Sequence, residues 1–478
     1  MIAADEIQWL DATAQAALVR DGELSARELV DSAIERIERF DPAIRSVIYE
    51  RYDRARAEAG TVDRSAPFAG VPTLVKETTA IAGEPHDLGV PLLAELGRRA
   101  TADAPIVTAM RAAGLVPVAQ STAPQFALLS TSETELHGST HNPWRTDLTS
   151  GGSSGGASAA VAAGLVPLAQ GGDGGGSLRM PASFTHLVGL KPSRGLIGNA
   201  KPGGDRWGHS VPGFVTRSIR DTALMMDLFR TGLPGAVGER FEPGDLVRAI
   251  DRDPGSLRIG VLSNRTTTGA PVDDEVDAAT LRAAAVFTDL GHHVEEAHPA
   301  RLMDPDNLRF FFDALSVGAA ADVDALTPFV GRQLDENDLD PVTMMWDRRG
   351  RAISGMDLAV ALNGIATLTR ELAGWWESGY DVLLSPVFAT PPLELGWPWR
   401  DADGLQKSVD VLRFTAPFNS SGQPALALPV DFSADGAPLG VQIVGALGSD
   451  DLLLSLGAQF ERARPWAHLH PALVGTGE

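Results

Sequence analysis

Residues 171–182 read GGDGGGSLRMPA, a glycine run that ends on a single serine, Ser177. Glycine admits positive φ and lets backbone N–H groups approach a ligand closely. Successive N–H groups that face one way form a nest for an anion. A serine at the end of such a nest has the chemistry to attack a carbonyl while the N–H groups hold the oxyanion. Losing one donor of that kind costs about 3–4 kcal/mol. The competing reading is a phosphate loop or a plain turn. A phosphate loop ends in Gly-Lys-Ser/Thr, whereas this one continues Ser-Leu-Arg.

A serine nucleophile needs a base. Upstream lies TSGGSSGGASAAVAAG (149–164), in which Gly151-x-Ser153-x-Gly155 matches the nucleophile elbow of α/β-hydrolases. That mechanism needs a late histidine. His468 and His470 are late enough, but RPWAHLHP reads as a polar surface tail, and RTDLT is a poor strand to precede an elbow. A lysine also serves as base when burial lowers its pKa. Lys76 ends the apolar segment GVPTLVK, an unusual place for a solvated lysine, although a snorkelling side chain is the plainer reading of it alone. Lys76, Ser153 and Ser177 together suggest a relay of base, bridging hydroxyl and nucleophile.

These segments resemble the amidase signature family, whose members hydrolyse amides through a Ser–cis-Ser–Lys triad. The residues that carry the resemblance are GGSSGGA (Gly151–Ala157), GDGGGSLRMP (Gly172–Pro181) and G-V-P-x-x-x-K at Gly70–Lys76. It continues through NPW (142–144), GFVTRSIRDTA (213–223), FTAPFNSSGQPALALPV (414–430) and LGVQIVG (439–445). The resemblance implies that Ser177 is the nucleophile, that Ser153, preceded by a cis peptide, bridges Ser177 and Lys76, and that Lys76 is the base. It assigns the oxyanion hole to the N–H groups of Gly174, Gly175, Gly176 and Ser177. Ser154 would support the neighbouring cis bond. Asp173 and Arg179 would fix the nucleophile's loop rather than touch substrate. Leu128 and Ser130, in the loop Phe126–Thr131, would face the acyl pocket, and Thr149 and Ser150 would be turn residues. Two departures lie near the pocket: Glu77 where many members have Asp after the lysine, and AQST (119–122) where many have Gly-Lys-Thr-Asn.

The elements needed to position these residues alternate between helix and strand. Ser25-x-x-Glu28 is a capping box for a helix that Asp41-Pro42 should stop. Strands are expected at 69–76, 115–120, 165–170, 257–263, 381–386, 425–430 and 440–445. Helices are expected at 104–114, 156–164, from Ser218 to about 229, 274–290 and 450–463, with 301–380 mostly helical. Proline and glycine thicken at 230–256 and 390–404, which read as connections. The expected fold is α/β: one large amidase-signature fold, a central mixed twisted sheet covered by helices on both faces. Its segments are an N-terminal helical part (1–65), the core with the triad (66–240), an inserted or peripheral helical part (241–380) and a C-terminal return to the sheet (381–478).

Composition bounds the partners. The net charge of −22 disfavours nucleic-acid phosphates and anionic membranes. The absence of cysteine excludes thiolate chemistry and disulfides. The apolar run near 157–169 is too short to span a bilayer. The N-terminus does not read as a signal peptide, which gives a cytoplasmic expectation. HHVEEAH (292–298) reads as an exposed edge strand rather than a metal site, and Glu133 and Glu135 as solvated loop residues. Trp375-Trp376 reads as core, while Trp397 and Trp399 are candidates for a substrate entrance. The expected enzyme hydrolyses a small-molecule amide without cofactor or metal, without nucleic acid or membrane, with a homodimer as its expected assembly. The alternatives are the A subunit of a glutamine amidotransferase working with a partner, and a non-catalytic ligand-binding protein of the same fold.

Overall fold

The computed structural model describes residues 4–198, 206–230, 245–264, 271–400 and 411–474. An eleven-stranded sheet forms its centre. Its strands, numbered along the chain, are β1 (Val47–Ile48), β2 (Pro72–Lys76), β3 (Val116–Ser121), β4 (Leu168–Asp173), β5 (Val188–Lys191) and β6 (Val211–Thr216). They continue with β7 (Arg258–Val261), β8 (His293–Glu296), β9 (Val382–Pro386), β10 (Ala425–Phe432) and β11 (Pro438–Gly445). The spatial order is β1-β3-β2-β4-β6-β5-β10-β11-β9-β7-β8. Pairing is parallel for β3-β2-β4 and for β9-β7-β8, and antiparallel elsewhere, so the sheet is mixed.

Successive strand residues point to opposite faces, and the core follows that alternation. Val75, Leu168, Phe214, Leu426 and Leu428 join one apolar cluster with helices Ile219–Phe229, Asp274–Asp289 and Asp450–Ala463. Leu74, Ala169, Val215 and Ala427 join a second with helices Ala26–Ile44, Gly155–Ala162 and Arg179–Phe184. Helices therefore cover both faces. Residues 241–380 contain long helices but also supply β7 and β8 at one end of the same sheet. Residues 231–244, within the expected 230–256 connection and holding the 240/241 boundary, and 401–410, which include the end of the 390–404 connection, lie outside the described residues.

Several local expectations need correction. Pro42 does not stop its helix, which runs Ala26–Ile44 with the proline inside its last turn. So near the C-terminus, proline removes a single intrahelical bond. The real stop is Arg45 in the left-handed region, with the Asp41 carboxylate accepting from the N–H groups of Ser46 and Val47. The strand expected at 165–170 lies at Leu168–Asp173, because pairing with β6 carries it through Gly171 and Gly172. A Cβ on Gly171 would stand 2.8 Å from both Leu178 and Ser154 side-chain atoms, so only glycine keeps this stretch flat against the site. Arg145–Thr149 is a strand after all, but it pairs with His141–Asn142 and, through a bridge at Leu148, with Glu394, outside the central sheet. His293–Glu296 is the exposed edge strand of the sheet. Trp376 and Trp397 are buried, while Trp399 is exposed. His470 stacks on Trp9 with ring centroids 3.7 Å apart. Among the described residues, no single helix is long and apolar enough to cross a membrane.

A third apolar cluster lies against the site. Phe126, Leu128 and Leu129 pack with Phe311, Phe312, Leu315 and Trp346. It depends on the close crossing of helices Asp306–Asp324 and Pro341–Ala352, where a Cβ on Gly350 would stand 2.0 Å from the Ser316 carbonyl oxygen. Gly350→Ala is therefore expected to destabilise the protein by about 1–3 kcal/mol, as overpacking does. Urea unfolding of the two proteins checks it.

Candidate active site

Lys76 is the last residue of β2, fully inside the sheet and 3% exposed. Its backbone N–H donates to Gln170 Oε1 at 3.1 Å on β4. Its side chain reaches the glycine-serine turn that precedes helix Gly155–Ala162. There Nζ donates to Ser153 Oγ at 2.7 Å and to Ser154 Oγ at 3.0 Å. The Gly152–Ser153 peptide bond is cis, the bond to which the resemblance points. The turn is packed tightly, since a Cβ on Gly152 would stand 2.5 Å from the Thr131 nitrogen. Thr149 Oγ1 accepts from the Gly151 N–H at 3.0 Å and bonds Thr131 Oγ1 at 2.7 Å, so Thr149 is more than a turn residue. The following helix is made of small residues because its backbone lies against the 120s loop. A Cβ on Gly156 would meet the Thr122 nitrogen at 2.5 Å.

Ser177 is half-buried, whereas Ser153 and Ser154 are buried. Its carbonyl accepts from the Ser154 N–H at 3.3 Å, which ties the two glycine-serine segments together. Ser154 Oγ also accepts from the Gly172 N–H at 3.3 Å. Ser154 thus touches the lysine, β4 and the Ser177 turn at once.

The turn around Ser177 is built on a buried ion pair. Arg179 and Asp173 have no exposed side-chain surface and meet through Nε–Oδ2 at 2.9 Å and Nη2–Oδ1 at 3.0 Å. The guanidinium also donates to Gln442 Oε1 at 2.9 Å, the Thr415 carbonyl at 3.1 Å and Asn419 Oδ1 at 2.7 Å. The carboxylate accepts from the N–H of Gly176 at 2.7 Å and of Leu178 at 3.3 Å, and from Asn419 Nδ2 at 2.9 Å. Burial alone would raise the Asp173 pKa. The charge and hydrogen bonds of Arg179 and the Asn419 amide outweigh it and hold the carboxyl at about 2. These two residues hold the loop through those bonds.

That arrangement corrects one expected donor. The Gly176 N–H donates to Asp173 Oδ1 at 2.7 Å and is thus already engaged within the loop. The N–H groups of Gly174, Gly175 and Ser177 donate to no acceptor among the described residues. Gly176 is needed for its backbone instead, with φ at 132° and a would-be Cβ 2.5 Å from Thr415 Oγ1. Thr415 Oγ1 in turn donates to the Gly175 carbonyl at 2.5 Å.

Leu128 and Ser130 are both buried in the loop that follows the left-handed residues Phe126 and Ala127. Leu128 belongs to the apolar cluster that includes Phe311, and Phe311 Cζ would lie 3.1 Å from a Cβ on Gly175. The apolar cluster therefore reaches the glycine nest. Glu133 is buried rather than solvated. It accepts from Thr131 Oγ1 at 2.7 Å and from the Gly396 N–H at 2.9 Å, while Glu135 is exposed.

A model of the Amidase family matches residues 28–454. The chain belongs to this family. It is 38% identical over 482 residues to the 6-aminohexanoate-cyclic-dimer hydrolase of Paenarthrobacter ureafaciens, a match that covers 98% of this chain and 97% of that one. It is 33% identical over 484 residues to an acylamidase of Rhodococcus erythropolis, with 98% of each chain covered. The structure of 6-aminohexanoate cyclic dimer hydrolase complexed with substrate superposes with a TM-score of 0.93 at 37% identity, covering 98% of this chain and 99% of that one. A bacterial aryl acylamidase of the amidase signature family superposes with a TM-score of 0.88 at 28% identity, covering 99% and 100%. The amidase fold here is thus shared over essentially the whole chain.

Sequence reasoning from the amidase motifs passed over Thr415, Asn419 and Gln442 as individuals. A lone glutamine in the apolar strand LGVQIVG was the available signal, since a buried amide must find partners. The buried pair gives this amidase a direct test. Asp173→Asn leaves Arg179 buried without its counter-charge and is expected to cost about 3–5 kcal/mol. Chemical unfolding near neutral pH measures it.

Proposed function

We propose that the protein is a cofactor-independent amide hydrolase in which Ser177 is the nucleophile, Ser153 the proton bridge and Lys76 the base. The observation that carries this reading is the buried contact of 2.7 Å between Lys76 Nζ and Ser153 Oγ beside the Ser177 turn. In its uncharged form Lys76 takes a proton from Ser153, which takes the proton of Ser177. Ser177 Oγ then bonds to the carbonyl carbon of the amide. The developing oxyanion is met by the N–H groups of Gly174, Gly175 and Ser177, fixed in advance by the loop and therefore able to act without reorganisation. Ser153 passes a proton to the leaving nitrogen as the C–N bond breaks. Water enters by the same route, releases the carboxylate and restores Ser177.

The substrate is a small linear or cyclic carboxamide, aryl amides included, whose acyl part is apolar. The contact of Phe311 with the nest, and the cluster of Leu128, Leu129 and Phe312 behind it, support an apolar acyl side. Leu128 and Ser130 belong to this proposal as pocket residues, and Ser154 as the residue that keeps Lys76 and the Ser177 turn in contact. The names of the 38% and 33% identical relatives, a cyclic-dimer hydrolase and an acylamidase, support hydrolysis over transfer of ammonia to a second subunit. The proposal places the enzyme in the cytoplasm without nucleic-acid or membrane partners, in keeping with a net charge of −22.

A panel of acyl-p-nitroanilides of graded acyl length tests it. Ser177→Ala and Lys76→Ala are each expected to lower kcat by at least about 10³-fold, as losing one member of a catalytic unit does. Turnover that survives in Ser177→Ala, or that arises only with a second protein, contradicts the proposal. In the wild-type enzyme kcat/KM is expected to rise with acyl chain length by about tenfold or more per buried pair of methylenes, following the apolar area removed from water.

A further inference from the structure

Directly after Lys76, and on the opposite side of the strand end, stands a buried cluster that the reaction above does not use. Glu77 has no exposed side-chain surface. Its N–H donates to the Ser121 carbonyl at 3.1 Å, and its Oε1 accepts from the Ala123 N–H at 3.1 Å. Its other oxygen lies 3.2 Å from His137 Nε2, and the same nitrogen lies 3.8 Å from Asp87 Oδ1. His137 comes from the short hairpin of Glu133–Thr134 and Gly138–Ser139, and its own N–H donates to Thr134 Oγ1 at 3.0 Å. Asp87 accepts from the Tyr49 hydroxyl and, at 3.0 Å, from the Gly89 N–H. The Tyr49 ring stands edge-on to the imidazole at 5.4 Å. Next in the chain, the Leu88 carbonyl accepts from the Phe126 N–H at 3.1 Å, at the start of the loop Phe126–Thr131.

We propose that His137, as an imidazolium held between Glu77 and Asp87, is a positioning residue that fixes the end of the lysine strand and so keeps Lys76 in reach of Ser153. The inference rests on the catalytic reading given above. Its physical basis is that two carboxylates buried this close repel and are costly to desolvate, so they stay together with a proton on one of them or a cation between them, and the imidazole is within reach of both. With the imidazole neutral, Glu77 loses its counter-charge, and the turn from β2 into Thr78 loses the anchor opposite Lys76.

The charged and titratable groups facing the ring are Glu77 from the strand end, Asp87 from the following loop and Tyr49 from the strand-β1 side. Arg98 interacts with Asp87, and Arg45 Nη1 lies 3.4 Å from the site of a Cβ on Gly138. Burial alone would push the imidazole down, but the Asp87 and Glu77 carboxylates beside it carry it up to about 9. Burial pushes Glu77 up. For Asp87 it is outweighed by the nearby His137 imidazole and by hydrogen bonds from Tyr49 and Gly89, which hold that carboxyl below its usual range. A raised histidine stabilises the fold fully below its unfolded value of about 6.5, and the contribution disappears as pH rises through about 9.

The experiment follows p-nitroanilide turnover and thermal midpoint between about pH 6 and about pH 10.5 for the wild type, His137→Gln, His137→Arg, Glu77→Gln and Ser177→Ala. In the wild type, kcat and the thermal midpoint are expected to fall together across about pH 8–10. His137→Gln is expected to lower kcat at neutral pH by about tenfold or more with KM within about threefold, and to lack that alkaline fall. His137→Arg, charged throughout, restores kcat at high pH. Glu77→Gln moves the alkaline fall to lower pH by removing one of the two anions. A wild-type kcat flat across this range overturns the proposal, as does a His137→Gln profile superimposable on the wild type. The three groups also lie within 4.8 Å of one another, a spacing that suits a divalent cation. Elemental analysis that finds one metal per chain, lost in His137→Gln, overturns the imidazolium in favour of a metal. If instead Ser177→Ala retains turnover, it is the catalytic reading that fails.

Discussion

The ion pair between Asp173 and Arg179 is the constraint around which the site is arranged. A glycine-rich turn has no conformation of its own, and ordering each residue costs about 1–2 kcal/mol of backbone entropy. Here one carboxylate takes the N–H groups of Gly176 and Leu178 and thereby fixes the backbone on both sides of Ser177. The guanidinium holds that carboxylate and is itself held by Thr415, Asn419 and Gln442. Neither charge is exposed, so each needs these partners. The nest of the first half of the chain is consequently assembled by residues of the last quarter. This explains why the family resemblance extends so far beyond the triad and why the site requires one continuous sheet.

The lysine is positioned by a different means. It sits at the end of a parallel strand between β3 and β4, and its backbone is pinned by the Gln170 side chain. Its partners Ser153 and Ser154 lie in the turn before a helix of glycine and alanine, which packs close enough to the 120s loop to admit no larger residue at Gly156. Catalytic geometry of this kind is a problem of tenths of an ångström, and close packing of small residues on strands and helices is a rigid way to solve it. The apolar cluster of Phe311 and Leu128 reaches the glycine run from the helical region, with Phe311 Cζ 3.1 Å from the place of a Cβ on Gly175.

The sequence exposed the motif residues well because each is an exception to its surroundings. A lysine closing an apolar strand and a serine inside a glycine run carry their own signal. Helices announced by caps, at Ser25 and Ser218, lie where the side chains required. What stayed hidden was decided by long-range partners. Pro42 looked like a stop, but the helix end is set by Asp41 and Arg45. Strand β4 runs into its glycines because β6 pairs with them. Glu133 looked solvated until Gly396, far along the chain, closed over it. Gly176 looked like an oxyanion donor, and only the fold shows that Asp173 has taken its N–H. In each case local composition allowed two outcomes, and a contact from a distant residue chose between them.

The central claim is that an uncharged lysine at the strand end activates one particular hydroxyl. Peptide mapping by mass spectrometry after treatment with a fluorophosphonate measures it most directly. A single adduct on Ser177, formed rapidly by the wild-type enzyme and at a strongly reduced rate when Lys76 is replaced by alanine, is the predicted result. An adduct on Ser153, Ser154 or a serine elsewhere, or labelling of Ser177 at an unchanged rate without the lysine, would contradict it.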